Sequence, residues 1–418
     1  MDYQGDHAWI LTSSALVLFM TPGLAFFYGG MVRSKNMLGM LMQNFFSMGL
    51  ISVIWGVVGF SLAFGNFGDG GLLGDFEFAW MRDLFDPSSG ARPALDMIYQ
   101  ATFAIITPAL ITGAIADRMR FSAWVWFLGL WSILVYSPVA HWVFGGGWMA
   151  KMGALDFAGG AVVHINAGAA ALAAVIILGK RKGWPKTAMP PHMLPWTLLG
   201  AGILWFGWFG FNAGSAGLAN GQAVQAFVNT NMAAAAAMLG WLAVERLKDG
   251  HATTLGAASG AVAGLVAITP CAGFVSGMSP FYIGAAAGVI CYLAIQLKFK
   301  LQYDDSLDVV GVHLVGGLVG SLLLGFFADD VVNALGQYAA VDGVFTGGGW
   351  GLFKDQAVAS FATFGYSFAM SAIILLGLKA VLPKGIRVTE DEEDQGLDLT
   401  QHAEVSYALG DMGSMARE

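Results

Sequence analysis

Two stretches of this sequence carry residues able to do chemistry inside an apolar setting. The first reads Asp156-Phe157-Ala158-Gly159-Gly160-Ala161-Val162-Val163-His164 and continues as an apolar run to about Leu178, long enough to cross a bilayer as a helix. The second, in the latter half of the chain, reads Asp308-Val309-Val310-Gly311-Val312-His313-Leu314-Val315-Gly316-Gly317. Each joins an acid at the mouth of an apolar run to small residues and then a histidine. At roughly 3.6 residues per turn, His164 lies about two turns in from Asp156. At that depth an imidazole is costly and is retained for function. A neutral imidazole has one donating and one accepting nitrogen, so two of them side by side can share a proton. Their recurrence in corresponding halves points to one common site, of the kind membrane proteins assemble from internal repeats.

The elements that position this pair follow from composition. Of 418 residues, 56% are hydrophobic and 11% charged, against about 25% charged in soluble domains, and the mean hydropathy is +0.65. The fold class is therefore an all-α polytopic membrane protein. The 58 glycines suit close helix packing in lipid. The net charge of −8 gathers largely in the C-terminal tail, and the lack of a basic patch excludes nucleic acid as a partner. Cys271 and Cys291 fall in apolar runs and read as buried small hydrophobes rather than a disulfide. The first apolar run, from near Ala8, lacks a basic leader and reads as a span rather than a cleaved signal.

Eleven apolar runs are expected to be transmembrane helices: 8–30, 38–65, 97–115, 121–143, 156–179, 193–213, 223–244, 253–271, 281–297, 307–328 and 356–381. One set of loops holds Arg33, Lys35, Arg118, Arg120, Lys180, Arg181, Lys182, Lys186, Arg246, Lys248, Lys298, Lys300, Lys384 and Arg387. The other holds only Arg82, Arg92, Lys151 and Lys354. The positive-inside rule places the first set in the cytoplasm, with the N-terminus outside and the C-terminus inside. Residues 1–383 form the transmembrane domain and 384–418 a cytoplasmic tail. Within the former, 8–179 and 193–328 read as two five-helix repeats, which an odd helix number makes inverted; the run at 356–381 stands outside them.

Several local features refine this plan. Thr21-Pro22-Gly23 through Gly30 reads as a broken segment, tolerated where backbone is buried or lines a cavity. The loop at 66–96 is the longest external one, punctuated by Pro87 and Pro93. Tyr99 and Phe103 share a helix face. The stretch from Ala140 to Trp148 is an aromatic cluster at the outer surface. Trp205 to Gly217 interleaves aromatics with glycines, as the first helix does. The acid-rich segment from Thr389 to Asp394 reads as a solvated tail with room for a partner. His7, His141, His192, His251 and His402 read as surface residues.

These residues resemble one family, the ammonium transporters of the Amt/Mep/Rh type, in particular their bacterial branch. The resemblance runs through Phe27-Tyr28-Gly29-Gly30-Met31-Val32-Arg33-Ser34-Lys35-Asn36, Gly113-Ala114-Ile115-Ala116-Asp117-Arg118 and Asp156-Phe157-Ala158-Gly159-Gly160. It continues through Phe211-Asn212-Ala213-Gly214-Ser215, Asp304-Asp305 with Asp308, and Gly311-Val312-His313, in order and on the right helices. It implies a homotrimer of eleven-helix subunits in the cell membrane, each with its own pore. It implies recruitment of ammonium by Phe103, Phe144 and Ser215, where ring faces attract a cation and a hydroxyl supplies a lone pair. Phe144 departs from the Trp typical of the family and predicts weaker capture. Phe103 and Phe211 resemble a phenyl gate, and His164, His313, Trp208 and Tyr28 a pore and proton relay. Gly396-Leu397-Asp398 through Tyr407 resembles the family's tail motif, with Ala403 where Gly is usual, and implies a PII-type regulatory partner. A glycine there would matter only at positive φ.

For Asp156 two roles stand open, proton acceptor and helix N-cap, with the cap favoured and electrostatic stabilisation of the recruited cation contributing. Asp308, five residues from His313, lies off its face and reads as a cap or a cytoplasmic contact. No cofactor is implied. A metalloenzyme is disfavoured because two histidines fall short of the three protein ligands of catalytic zinc sites. An ammonium sensor signalling through its tail and a neutral gas channel are the alternatives to a transporter.

Overall fold

The computed structural model describes residues 4–66, 71–85, 87–333, 335 and 341–407. Among these the chain is helical throughout, with no strand and only two isolated bridges, Met119 with Arg387 and Val275 with Ala328. Among the described residues, ten helices are long and apolar enough to span a membrane. They are α1 (Gln4–Met31), α2 (Ser34–Phe64), α3 (Arg92–Ile115), α4 (Phe121–Met152, broken at Phe144–Gly147), α5 (Gly160–Leu178), α6 (Leu194–Gly214), α7 (Gly221–Asp249), α9 (Ser279–Leu301), α10 (Val310–Phe327) and α11 (Gly351–Val381). Between α7 and α9 lies α8 (Thr254–Ile268). Its 15 residues rise only ~22 Å at about 1.5 Å each, so as a helix it is apolar but shorter than the ten above. Part of the long loop at 66–96, namely 67–70 and 86, lies outside the described residues.

Packing explains the glycines and corrects the reading of α1. No break occurs at Thr21-Pro22-Gly23: the helix runs through Pro22 to Met31. The small residues serve contact instead. α1 lies along α6, and a methyl group at Gly200 would fall 2.2 Å from the Phe27 amide nitrogen. In lipid, where apolar burial drives little, such close backbone approach supplies the dispersion contacts that hold helices together.

α3 and α5 are the most enclosed helices, whereas α7 and α11 leave most of their surface facing outward. The two halves interlock at the centre. The first turns of α5 pack on α10, and the first turns of α10 pack on α5. Both of these segments, Gly160–Ile165 and Val310–Leu314, are wound as π-helix. Apolar periodicity does not distinguish a π turn from an α turn, so the sequence predicts plain α-helix there.

The tail is not a free acidic segment. Thr389 caps α12 (Glu390–Gln395) through a reciprocal bond pattern with Glu392, a capping box, and α13 (Leu397–His402) follows. Both lie against the end of the bundle that carries the basic loops. Residues 408–418 lie outside the described residues.

Candidate functional site

His164 and His313 meet between the two halves. Their Nδ1 atoms are 3.3 Å apart and their rings are inclined by 21°. Both side chains are buried. With one hydrogen between two facing Nδ1 atoms, one imidazole donates and the other accepts. In a neutral pair the donor's Nε2 is then a lone pair and the acceptor's Nε2 bears hydrogen. The pair therefore offers one acceptor and one donor on its outer edge. His164 Nε2 is buried with no protein partner, a departure from the pairing usual for buried polar atoms.

The helix starts that aim these rings are set by acids. Asp156 accepts from four amides, Gly159 at 2.8 Å, Gly160 at 2.6 Å, Ala161 at 2.8 Å and Val162 at 3.3 Å. Gly159 sits at φ +118° to allow this wrap, a conformation open to glycine at little cost. This geometry is that of a cap. Its counterpart in the second half is Asp305, which accepts from the Val310 amide at 2.7 Å. The register agrees, since Asp156 to His164 and Asp305 to His313 are both eight positions. The pairing of Asp156 with Asp308 read from the sequence is thus corrected: Asp308 instead forms an ion pair with Lys298 at 2.5 Å.

Around the pair, the Trp208 indole lies 5.5 Å from the His164 ring centre at 19°, and its Nε1 donates to Thr269 Oγ1 at 2.9 Å. A cavity of ≈ 10 Å³ opens here, lined by Met20, Leu24, Phe27, Ile106, Leu110, Val163, Leu204, Val262, Trp208, Phe211 and both histidines. That is room for about one water-sized molecule, with no side-chain charge in its wall. Tyr28 does not line it; its hydroxyl donates to the Leu110 carbonyl at 3.1 Å.

Phe103 and Phe211 stand above this cavity, ring centres 4.4 Å apart at 45°, both nearly fully buried. Phe211 borders the inner cavity and Phe103 an outer one of ≈ 410 Å³. The outer cavity is also lined by Phe144, Ser215, Asp156, Gln100 and Phe157. The structure thus brings Phe103, Phe144 and Ser215 to one outer cavity, with the touching Phe103 and Phe211 rings between it and the inner one.

Sequence reasoning missed Thr269 and the π turns, and named Asp305 only within the resemblance, without the capping role seen here. It also dismissed two histidines that are engaged. His141 is buried with Nδ1 3.0 Å from the Ala63 carbonyl oxygen. His192 bridges the Val32 carbonyl at 2.8 Å to the Tyr407 hydroxyl at 3.0 Å. The first joins α4 to α2 and the second joins α1 to the tail, long-range pairings that local sequence does not signal.

Comparison with known proteins points one way. The family model described as the Ammonium Transporter Family matches residues 8–407. An ammonium transporter of Mycobacterium tuberculosis is 52% identical over 432 residues, covering 96% of this chain and 90% of the relative. One of Bacillus subtilis is 48% identical, covering 96% and 98%. Among solved structures, Candida albicans Mep2 superimposes with a TM-score of 0.87 at 36% identity, covering 93% of this chain and 87% of that one. A structure titled Sensor Amt Protein gives 0.86 at 29% identity, covering 95% and 98%.

Proposed function

The chain belongs to the ammonium transporter family, and from that premise we propose that it takes up ammonium by capturing NH4+ in the outer vestibule and conducting NH3 past the histidine pair. The observation that carries this reading is the His164–His313 contact of 3.3 Å beneath the Phe103–Phe211 rings. The wall there is apolar and the space admits a single small molecule. Stripping water from an ammonium ion in such surroundings costs far more than stripping it from neutral ammonia. The ion therefore gives up its proton before or within the gate.

Each residue has a role in this scheme. Phe103 and Phe144 offer ring faces to the cation, worth about 0.5–2 kcal/mol each by cation–π attraction, and Ser215 accepts one N–H. Phe103 and Phe211 part to admit ammonia. His164 and His313 then present one acceptor and one donor to it, and can relay the released proton through their shared hydrogen. Trp208 holds the His164 ring flat, and Tyr28 ties α1 to α3 below. Asp156 shapes the start of α5, its charge also favouring the cation above.

The protein is a multi-pass cell-membrane protein in this reading, N-terminus outside, assembled as a homotrimer with one pore per subunit. Its docked tail forms part of the cytosolic surface that a PII-type protein would cover. The likeness to a structure titled as a sensor supports a second reading, in which binding matters more than flux.

The test is current across a supported membrane bearing purified protein after an ammonium chloride jump, for the native chain and the His164→Ala/His313→Ala double variant. A saturable native current, lost or made unselective in the variant, is the expected result. No current with ammonia-driven pH change in vesicles would mean a neutral gas channel. Silence in both assays would favour the sensor.

A further inference from the structure

Two segments that wall the outer cavity meet at one carbonyl oxygen. α2 ends at Phe64, which lines that cavity, and α4 breaks at Phe144, which lines it together with Val143. The last carbonyls of a helix have no partner within it. At the end of α2 the Ser61 oxygen takes the Gly65 amide at 2.8 Å, and the Leu62 oxygen takes the Gly74 amide at 2.7 Å. The Ala63 oxygen is met from α4, by His141 Nδ1 at 3.0 Å. A carbonyl can only accept, so Nδ1 carries a hydrogen. Ala63 and His141 are both buried.

The chain just after Phe144 presses on the same oxygen. A methyl group at Gly145 would fall 1.9 Å from it and 2.7 Å from His141 Nδ1. Gly145 does not take a positive φ, so closeness rather than backbone conformation requires a glycine there. Main-chain bonds fix the shape of this turn. The Phe144 amide donates to the Ala140 oxygen at 2.8 Å, the Gly145 amide is shared by the Ala140 and His141 oxygens at 3.1 Å each, and the Gly147 amide reaches the His141 oxygen at 2.9 Å. All of these stay within residues 140–147 and leave the placement of the turn against α2 open. The His141 ring bond crosses to α2 from three residues before Phe144. Such a bond prefers a near-linear angle and weakens steeply away from it, so it sets a register that apolar contact alone does not.

We infer that His141 is a positioning residue for ammonium capture, its Nδ1–H on the Ala63 carbonyl holding the turn that carries Phe144 against the end of α2. This rests on the recruitment role proposed above for Phe144. His141 lines neither cavity and acts through the placement of the Phe144 ring.

The experiment compares two amides at this position in the full-length protein in proteoliposomes, reading ammonium-induced current for half-saturation and maximal flux. The nitrogen of an asparagine lies as many bonds from Cβ as Nδ1 does, and that of a glutamine as many as Nε2. His141→Asn therefore keeps a donor for Ala63, and His141→Gln moves it one bond away. Phe144→Ala is expected to raise half-saturation roughly two- to fivefold, the span of an exposed cation–π contact. His141→Gln is expected to raise it by up to the same factor with maximal flux changed less, while His141→Asn stays close to native. Adding His141→Gln to Phe144→Ala is expected to raise it no further. If Phe144→Ala leaves half-saturation unmoved, the recruitment reading of Phe144 fails, and the inference with it. If Phe144→Ala raises it while His141→Gln does not, or the two effects multiply, His141 does not act through Phe144. A rise in His141→Asn equal to that in His141→Gln would show that the Nδ1 donor is not what matters. A fall in maximal flux alone would likewise overturn the inference.

Discussion

Phe144 and Thr269 show how single side chains can be weighed. Phe144 lines the outer cavity but is only half-buried, so in the proposed capture its ring would compete with water for the cation. Indole is the better partner for a cation, and Phe144→Trp should lower half-saturation by roughly two- to fivefold; an unchanged value in the current assay would remove Phe144 from capture. Thr269 is fully enclosed and is the hydrogen-bond acceptor for the Trp208 indole. Thr269→Val keeps the shape and leaves that N–H unpaired, at a cost of about 1–3 kcal/mol. Thermal unfolding in detergent should register the loss, and Trp208→Phe in the same chain should remove most of it, because no donor then remains. Additive losses would mean that the bond matters little. The family motifs lead to Trp208 but not to Thr269, since a threonine sixty-one positions away carries no local mark of its partner.

Among the elements, α12 and α13 make the tail a docked part of the fold. Arg120 donates twice to Glu392, at 2.9 and 2.7 Å, and Leu397 and Gly39 amides bond to Asn36 and Asp398 at 2.8 Å. The Arg120 hydrogen bonds pull the Glu392 carboxyl down to about 2. A lowered carboxyl stabilises docking fully above its ordinary value of about 4.3 and loses that only as pH falls toward 2. Docking through this pair should be flat with pH near neutrality, yet Arg120→Glu should release the segment, seen as faster hydrogen exchange over 389–407. Ala403 ends α13 at φ +55°, a left-handed conformation that costs a side chain about 1–2 kcal/mol. Ala403→Gly should therefore slow exchange in the same segment, by up to about fivefold after glycine's own entropy is counted; faster exchange would contradict the strain. The sequence marked Ala403 as a departure, but only the backbone angle gives that departure a sign. Helix positions were legible because apolar runs of spanning length are a strong signal. The π winding of the histidine turns was not, and neither was the Asp156–Asp305 equivalence, because three nearby acids at 304, 305 and 308 differ only in where the chain turns.

At the scale of the whole molecule, a buried ion network ties the two halves together at the end that bears the tail. Asp117 pairs with Arg33 at 3.0 Å and Arg181 at 3.5 Å. Arg181 reaches Asp304 at 2.8 Å, whose carbonyl accepts from Arg118 at 2.6 Å. These groups come from the loops after α1, α3, α5 and α9, so the network crosses between halves. Burial opposes the charge on Asp304, yet the Arg181 guanidinium overrides it and holds the carboxyl below its ordinary value. Its stabilisation is thus complete above about pH 3.9 and lost only on acidification. Replacing such a pair as a unit can be harmless, but removing one member strands a buried charge, at about 3–5 kcal/mol. Asp304→Asn keeps the side chain's size and removes its charge, so its thermal unfolding in detergent should show a loss of that order. Salt separates this from the tail contacts. Exposed pairs such as Lys182 with Asp394 are screened over about 8–10 Å at physiological ionic strength, whereas the Arg181–Asp304 pair has almost no solvent to screen it. Raising salt should speed exchange in the tail while leaving the native unfolding temperature, and the deficit of Asp304→Asn, nearly unchanged. A deficit that vanished in salt would mean that this end of the bundle is wet and that the halves are held elsewhere.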